Sequence, residues 1–335
     1  MSMKRIKILH LSDLHFPLPL QSGKVDDKEG VLGPEDYEGH CNVKVFEEYL
    51  LRLAKEVDTE KCILVTGDLT DKGKVDGLNQ AASFLKSAAD ILGIPYGNII
   101  VAPGNHDIQR AELSAPQWQP FKAATTDFCT PFNPTNVFEI KNHLIILPLN
   151  SCQLHIDKSP IKRFFLKDAE KITLTEIAKI SEDQFLSMAE TLSLSKAPIR
   201  IAALHHHIVP IWGVEAKKFD PILNAGKFVR ELQKRGFSLI VHGHKHGRGV
   251  KYFQDMELTS HPVGFYVISA NWFGDKIGWF NEIDITFKTA TLPQIIYKGY
   301  FLEGGSVKEV KDSIDCSPKI LVETEKQAID FALEI

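Results

Sequence analysis

Eight short apolar runs punctuate this chain, at residues 6–11, 62–65, 99–102, 144–149, 199–204, 239–241, 265–268 and 283–287, and five of them end in a cluster of Asp, Asn, Gly or His. Their length and β-branched content suit buried strands. Between them lie amphipathic helical patterns. Residues 43–57 gather Val45, Tyr49, Leu50 and Leu53 near one face, and residues 79–92 gather Phe84, Leu85, Ala88 and Leu92 before a capping Gly93. Residues 181–192 and 225–234 are further candidates, the last stopping at Gly236. Strand–helix alternation of this kind predicts an α/β protein with sheets covered by helices.

Composition sets outer limits. With 335 residues, 44% hydrophobic and 24% charged, the chain can bury a large core without covalent staples. The five cysteines, Cys41, Cys62, Cys129, Cys152 and Cys316, are scattered and lack CxxC spacing, so they read as reduced thiols. The apolar run after Lys4-Arg5 is broken by His10, Asp13 and His15, which predicts a buried first strand rather than a signal peptide. No apolar run reaches the roughly 18 residues of a membrane span, and a cytoplasmic protein is expected. A formal net charge of −4 excludes a global basic field for gripping nucleic acid.

Three stretches resist the strand–helix pattern, the third being the C-terminal segment from about Gly304. Residues 17–41 are rich in Gly, Pro and charge, and residues 108–136 are Pro-rich, with Trp118, Phe121, Phe128 and Phe132. Both follow a polar cluster, where α/β proteins place binding loops. The expected organisation is a catalytic domain over residues 1–300 with these two inserts. A C-terminal extension, 301–335, would hold a charged linker and a helix at 324–333.

The five clusters carry the chemistry. They are Asp13-Leu14-His15, Gly67-Asp68-Leu69-Thr70-Asp71, Gly104-Asn105-His106-Asp107, His205-His206-His207, and His242-Gly243-His244-Lys245-His246. Taken singly, each is an ordinary polar strand end or turn. Together they are five sets of metal-ligand types, each directly after a strand run, and strand ends converge on one edge of a sheet. Burying several carboxylates and imidazoles together is costly unless something neutralises them. Mixed imidazole and carboxylate donors suit zinc, iron, manganese, cobalt or nickel better than calcium. A shared carboxylate can hold two ions about 3.5–4 Å apart with an activated water between them, a nucleophile for in-line attack on phosphorus. Gly67, Gly104 and Gly243 supply the tight turns such a site needs.

The pattern D-x-H, G-D, G-N-H-D, His, G-H-x-H runs complete and in order from Asp13 to His246, and in this the chain resembles the calcineurin-like metallophosphoesterase superfamily. The resemblance implies a four-layer α/β/β/α sandwich of two mixed sheets flanked by helices. It also implies a dinuclear centre of divalent transition-metal ions: manganese, iron or zinc. Carried over by position, Asp13, His15 and His246 would hold the first ion, Asp68 would bridge, and Asn105, His206 and His244 would complete the second. His106 would act on the leaving group, with Asp71 orienting it. Within the triplet, relatives often show His-x-Pro with the first His ligating; here Ile208 stands at the Pro position, which selects His206 over His205 and His207.

Departures from the pattern narrow the branch. Asp71-Lys72-Gly73 and Asp107 stand where Ser/Thr protein phosphatases carry Asp-Arg-Gly and Glu, and Asp71 stands where purple acid phosphatases carry a ligating Tyr. The remaining resemblance is to the class III cyclic-nucleotide phosphodiesterase branch, and also to the nucleases and nucleotide pyrophosphatases near it. It implies a phosphodiesterase or phosphomonoesterase acting on a small nucleotide-like substrate through metal-activated hydroxide. Phe16 and Trp118 are candidates to stack a base, with Asn150 and Trp212 at the mouth. The alternative is a manganese-dependent nuclease, for which Lys217, Lys218, Lys227 and Lys234 are the basic candidates. A non-enzymatic scaffold is disfavoured because all seven ligand positions are present.

Overall fold

The computed structural model describes residues 4–16, 38–109, 118–133, 136–152, 178–208, 222–253, 264–274, 277–288 and 293–318. The elements run β1 (Lys4–Leu11), α1 (Glu38–Ala54), β2 (Thr59–Thr66), α2 (Val75–Leu92), β3 (Ile99–Ala102), α3 (Gln119–Ala124), β4 (Phe138–Ile140) and β5 (Leu144–Pro148). They continue with α4 (Glu182–Leu194), β6 (Ile199–Ala203), α5 (Ala225–Lys234), β7 (Leu239–His242), β8 (Gly249–Phe253), β9 (Phe265–Ser269), β10 (Gly278–Phe287), β11 (Gln294–Glu303), β12 (Ser306–Glu309) and β13 (Ile314–Asp315). One sheet has the order β12-β11-β10-β1-β2-β3, with β13 also on β11, and the other has the order β4-β5-β6-β7-β9-β8. β1, β2 and β3 are mutually parallel, as are β5, β6, β7 and β9.

Side-chain alternation on these strands makes four layers. On β1, Ile6 and Ile8 face the other sheet, whereas Leu9 and Leu11 face the helices. The inter-sheet core joins Ile6, Ile8, Leu64 and Ile100 to Ile146, Ile201, Val241 and Ile268. A second core packs Leu9, Leu11, Ile63 and Val65 under Phe46, Leu50, Phe84 and Leu85 of α1 and α2. A third packs Ile145, Leu147 and Ile240 under Phe185, Met188, Phe228 and Leu232 of α4 and α5. Three cores separate four layers, so the molecule is the α/β/β/α sandwich.

Local chemistry sets the helix ends. α2 stops at Gly93, left-handed at φ 67°, and Ser181 caps α4 by accepting from the Gln184 N–H at 3.3 Å. α5 spans the residues its periodicity predicts, while α1 and α2 each begin before the apolar pattern does.

Within the region 108–136, expected as an insert, residues 108–109, 118–133 and 136 are described. They contain α3, with Pro120 in its first turn, and Trp118 packs on Phe121 and Phe132. Phe121 and Phe128 are buried, because aromatic side chains this large stabilise most when removed from water. After Gly304, where the sequence reads as a linker, β12 and β13 pair with β11. The helix expected at 324–333 lies outside the described residues. Among the described residues, no helix is long and apolar enough to cross a membrane.

Candidate metal centre

All five polar clusters sit at the C-terminal ends of parallel strands, on one edge of the sandwich. The loops after β1 and β2 continue as a paired ribbon: Asp13 N–H donates to Gly67 O (3.0 Å), His15 N–H to Asp68 O (3.0 Å) and Phe16 N–H to Leu69 O (2.9 Å). That pairing sets Asp13 beside Asp68. The second sheet is stitched to the same ribbon, with Phe273 N–H donating to Ser12 O (3.0 Å) and His244 N–H to Asp13 Oδ2 (3.3 Å).

Backbone conformation shows how tightly these turns are wound. Of eight described non-glycine residues with positive φ, five are candidate ligands: Asp13 (54°), His15 (48°), Asp68 (54°), His244 (75°) and His246 (47°). Asp and His tolerate this region better than most residues, yet such strain costs about 1–3 kcal/mol each and collects at functional sites. At Gly104 a Cβ would lie 2.1 Å from Asp68 Oδ1, so only glycine lets the loop after β3 approach that carboxylate. The Asp107 carboxylate then fixes this loop, accepting from Gly104 N–H (2.8 Å) and Thr70 N–H (3.1 Å).

The side chains form two adjoining groups. In the first, His246 Nε2 lies 3.2 Å from Asp13 Oδ1, and His15 Nε2 lies 3.9 Å from Asp13 Oδ1 and 4.0 Å from Asp68 Oδ2. His15 Nε2 is buried and has no hydrogen-bond partner, although it faces two carboxylates. A cation between those oxygens and that nitrogen would satisfy all three, so the donor set fits a transition-metal ion. In the second group, His205 Nε2 lies 2.9 Å from Asn105 Oδ1, 3.3 Å from Asp68 Oδ2 and 3.2 Å from His244 Nδ1.

The ring that lies against Asp68 and Asn105 is that of His205, one residue before the expected His206. The His205 Nδ1 donates to Thr66 O (2.8 Å), which fixes the ring with Nε2 turned toward Asp68 and Asn105. His206 Nδ1 instead pairs with Ser151 Oγ (3.0 Å), and its ring lies 4.5 Å from that of His244. Strand β6 ends at Ala203, and the first ring after it reaches the edge shared with β2. Sequence spacing cannot express that register.

Electrostatics reflect two buried carboxylates among many imidazoles. Burial alone would raise Asp68, but the charges of His205 and His106 hold it well below the usual carboxylate range. Burial would lower His205, but Asp68 outweighs it and the imidazole stands at about 9. His206 and His244 are pushed well below the ordinary histidine value by burial. The buried Asp68 carboxylate and the His205 imidazole thus favour each other's charged forms.

Beside the first group, His106 Nδ1 lies 3.1 Å from Asp71 Oδ1, and its backbone N–H donates to Asp68 Oδ1 at 2.8 Å. Trp272, which the sequence reading passes over, covers this group: its ring lies 4.7 Å from His246 and 5.4 Å from His15. The signal for it exists, since Asn271-Trp272 follows the strand run 265–268 after only Ser269 and Ala270.

Several expected wall residues sit elsewhere. Phe16 is buried on Phe84, and Trp118 belongs to the helix-side core. Asn150 is a buried anchor whose carbonyl and N–H bind the Gln184 amide of α4. Trp212, Lys217 and Lys218 lie outside the described residues.

The sequence model of the family described as calcineurin-like phosphoesterase matches residues 6–248, and the chain belongs to that family. Its members' metal-dependent phosphoester hydrolysis accords with the ligand groups above. Among solved structures, the Thermus thermophilus protein TT1561 aligns over 94% of this chain and 100% of its own, at 11% identity and TM-score 0.41. The Thermus thermophilus sulfate thiohydrolase SoxB aligns over 98% of this chain and 59% of its own, at 11% identity and TM-score 0.42. A Streptococcus pneumoniae protein described as a predicted phosphoesterase covers 92% and 99%, at 11% identity and TM-score 0.30. No curated protein matches.

Proposed function

We propose that this chain hydrolyses a phosphodiester, or a phosphomonoester, of a small nucleotide-like substrate at a centre of two divalent transition-metal ions. Asp13, His15 and His246 would hold one ion, Asn105, His205 and His244 the other, with Asp68 shared between them. The observation that carries this reading is the partnerless His15 Nε2 facing Asp13 and Asp68, with the second imidazole group on the other side of the same Asp68 carboxylate. When bound, manganese, iron or zinc ions supply Lewis acidity toward phosphoryl oxygens and lower the pKa of a water to near 7.

The protein's own groups do the rest. Asp71 holds His106 Nδ1, which fixes the ring and leaves Nε2 to donate a proton to the departing oxygen. Burial would lower His106, but Asp68 and Asp71 together raise its pKa above the ordinary histidine value, which favours the protonated form an acid needs. Trp272 walls one side of the first group, against His15 and His246. Cytoplasmic location belongs to the same proposal, supported by four buried cysteines outside any disulfide, Cys62, Cys129, Cys152 and Cys316. The nuclease alternative gains nothing from Lys227 and Lys234, which pair with Glu182 and Glu231 on the helical face.

Hydrolysis of bis(p-nitrophenyl) phosphate with manganese tests the reading. Asp68→Ala should lose several orders of magnitude while remaining folded; wild-type turnover in that variant would refute it. A panel of cyclic nucleotides, dinucleotides and short single-stranded DNA then decides substrate class, and cleavage of DNA alone would select the nuclease.

A further inference from the structure

The candidate ligands come from two sheets that meet across an apolar interface. Apolar packing is non-directional, so by itself it does not set the register of one sheet on the other at the precision a metal site needs. One line of polar groups runs through that interface, starting two residues beyond His246. Arg248 Nε donates to Tyr297 Oη (2.8 Å), and Tyr297 Oη donates to Asn281 Oδ1 (2.9 Å). Asn281 Nδ2 donates to His10 Nδ1 (3.2 Å), and His10 Nε2 donates to Thr66 Oγ1 (2.9 Å). Thr66 is where the candidate site begins: its carbonyl accepts from the His205 ring (2.8 Å) and from Ser12 Oγ (3.1 Å), which also reaches Asp13 Oδ2 at 2.6 Å.

The line has a single polarity. Arginine can only donate, so the Tyr297 hydroxyl must pass its own hydrogen onward, which fixes the Asn281 amide and then the His10 tautomer. Tyr297, Asn281, His10 and Thr66 belong to β11, β10, β1 and β2 of one sheet, and Arg248 immediately precedes β8 of the other. The seat for Arg248 is shaped for it. The guanidinium lies 5.4 Å from the Tyr297 ring centroid, and a Cβ on Gly299 would come within 2.5 Å of Nε.

We propose that Arg248, Tyr297, Asn281 and His10 are positioning residues that lock the second sheet's ligand loop, His244 to His246, in register with Asp13, Asp68 and His205, and thereby set the affinity of the centre for its ions. This rests on the two-ion reading above. The network touches neither ion nor substrate, so it acts through metal affinity.

The test is calorimetric titration of manganese into metal-free wild type, Tyr297→Phe, Arg248→Met and the double variant, with thermal unfolding of each metal-free protein. Tyr297→Phe keeps the ring and removes the relay, and outer partners of metal ligands are typically worth about 10–100-fold in affinity. About a tenfold weakening is expected in either single variant. The double variant should be no weaker than the worse single one, because both cut the same line. Should Tyr297→Phe fail to fold, Arg248→Met at the half-buried end of the line carries the comparison against wild type. Lowered melting temperatures with wild-type manganese affinity would mean a purely structural role and overturn this inference alone. A wild type that takes up no manganese would overturn the two-ion reading as well.

Discussion

Replacing His205 and His206 one at a time separates the ring that the sequence pattern selects, His206, from the ring that the geometry sets against Asp68, His205. His205 is fully buried and makes three polar contacts that matter to a second ion: Asp68 at 3.3 Å, Asn105 at 2.9 Å and the orienting Thr66 carbonyl at 2.8 Å. His206 makes its ring contact with Ser151 at 3.0 Å. Loss of an outer partner costs about 10–100-fold in metal affinity. Loss of a direct ligand should exceed the top of that range, or more than about 2.8 kcal/mol. His205→Ala is therefore expected to reduce bound manganese from two ions to one, and His206→Ala to keep two with weaker binding. Because His205→Ala also strips Asp68 of its nearest cation in the metal-free protein, His205→Asn is the safer companion for folding. Elemental analysis after dialysis, followed by calorimetry, reads both quantities. If His206→Ala lost an ion while His205→Ala and His205→Asn kept both, the geometric assignment would be refuted.

Other outcomes follow from the same contacts. His106→Ala should lower kcat by about 10²–10⁴-fold with both ions still bound, as expected for a general acid outside the ligand set. Asp71→Asn keeps an acceptor for His106 Nδ1 but removes a charge that raises the His106 pKa, so the acid is lost at lower pH and the alkaline limb of the kcat profile should move down; an unmoved limb would contradict the pairing. Trp272 lies against both His15 and His246, so paramagnetic manganese should quench its fluorescence, and Trp272→Phe should abolish that part of the quenching while the other tryptophans remain.

Much of this architecture is legible in the chain because strand runs and ligand types obey short-range rules. Asp13, Asp68 and Asn105 follow strands whose period and turn glycines can be read directly, and the fold class follows from their alternation with helices. What escaped depends on register between distant segments. Which ring of His205-His206-His207 faces Asp68 is decided by where β6 ends against β2. The packing of Trp118 and Phe121 is decided by a short helix, Gln119–Ala124, with Pro120 in its first turn, and the run around them reads as a loop. The inter-sheet polar line is invisible for a further reason: His10, Asn281 and Tyr297 each look like an isolated polar residue in an apolar strand until four strands and a loop bring them together.

Anomalous diffraction from a manganese-soaked crystal addresses the central claim most directly. Two peaks are predicted, one among Asp13, His15, Asp68 and His246, the other among Asp68, Asn105, His205 and His244. Absence of density between Asp13 and Asp68, with manganese bound elsewhere, would contradict it.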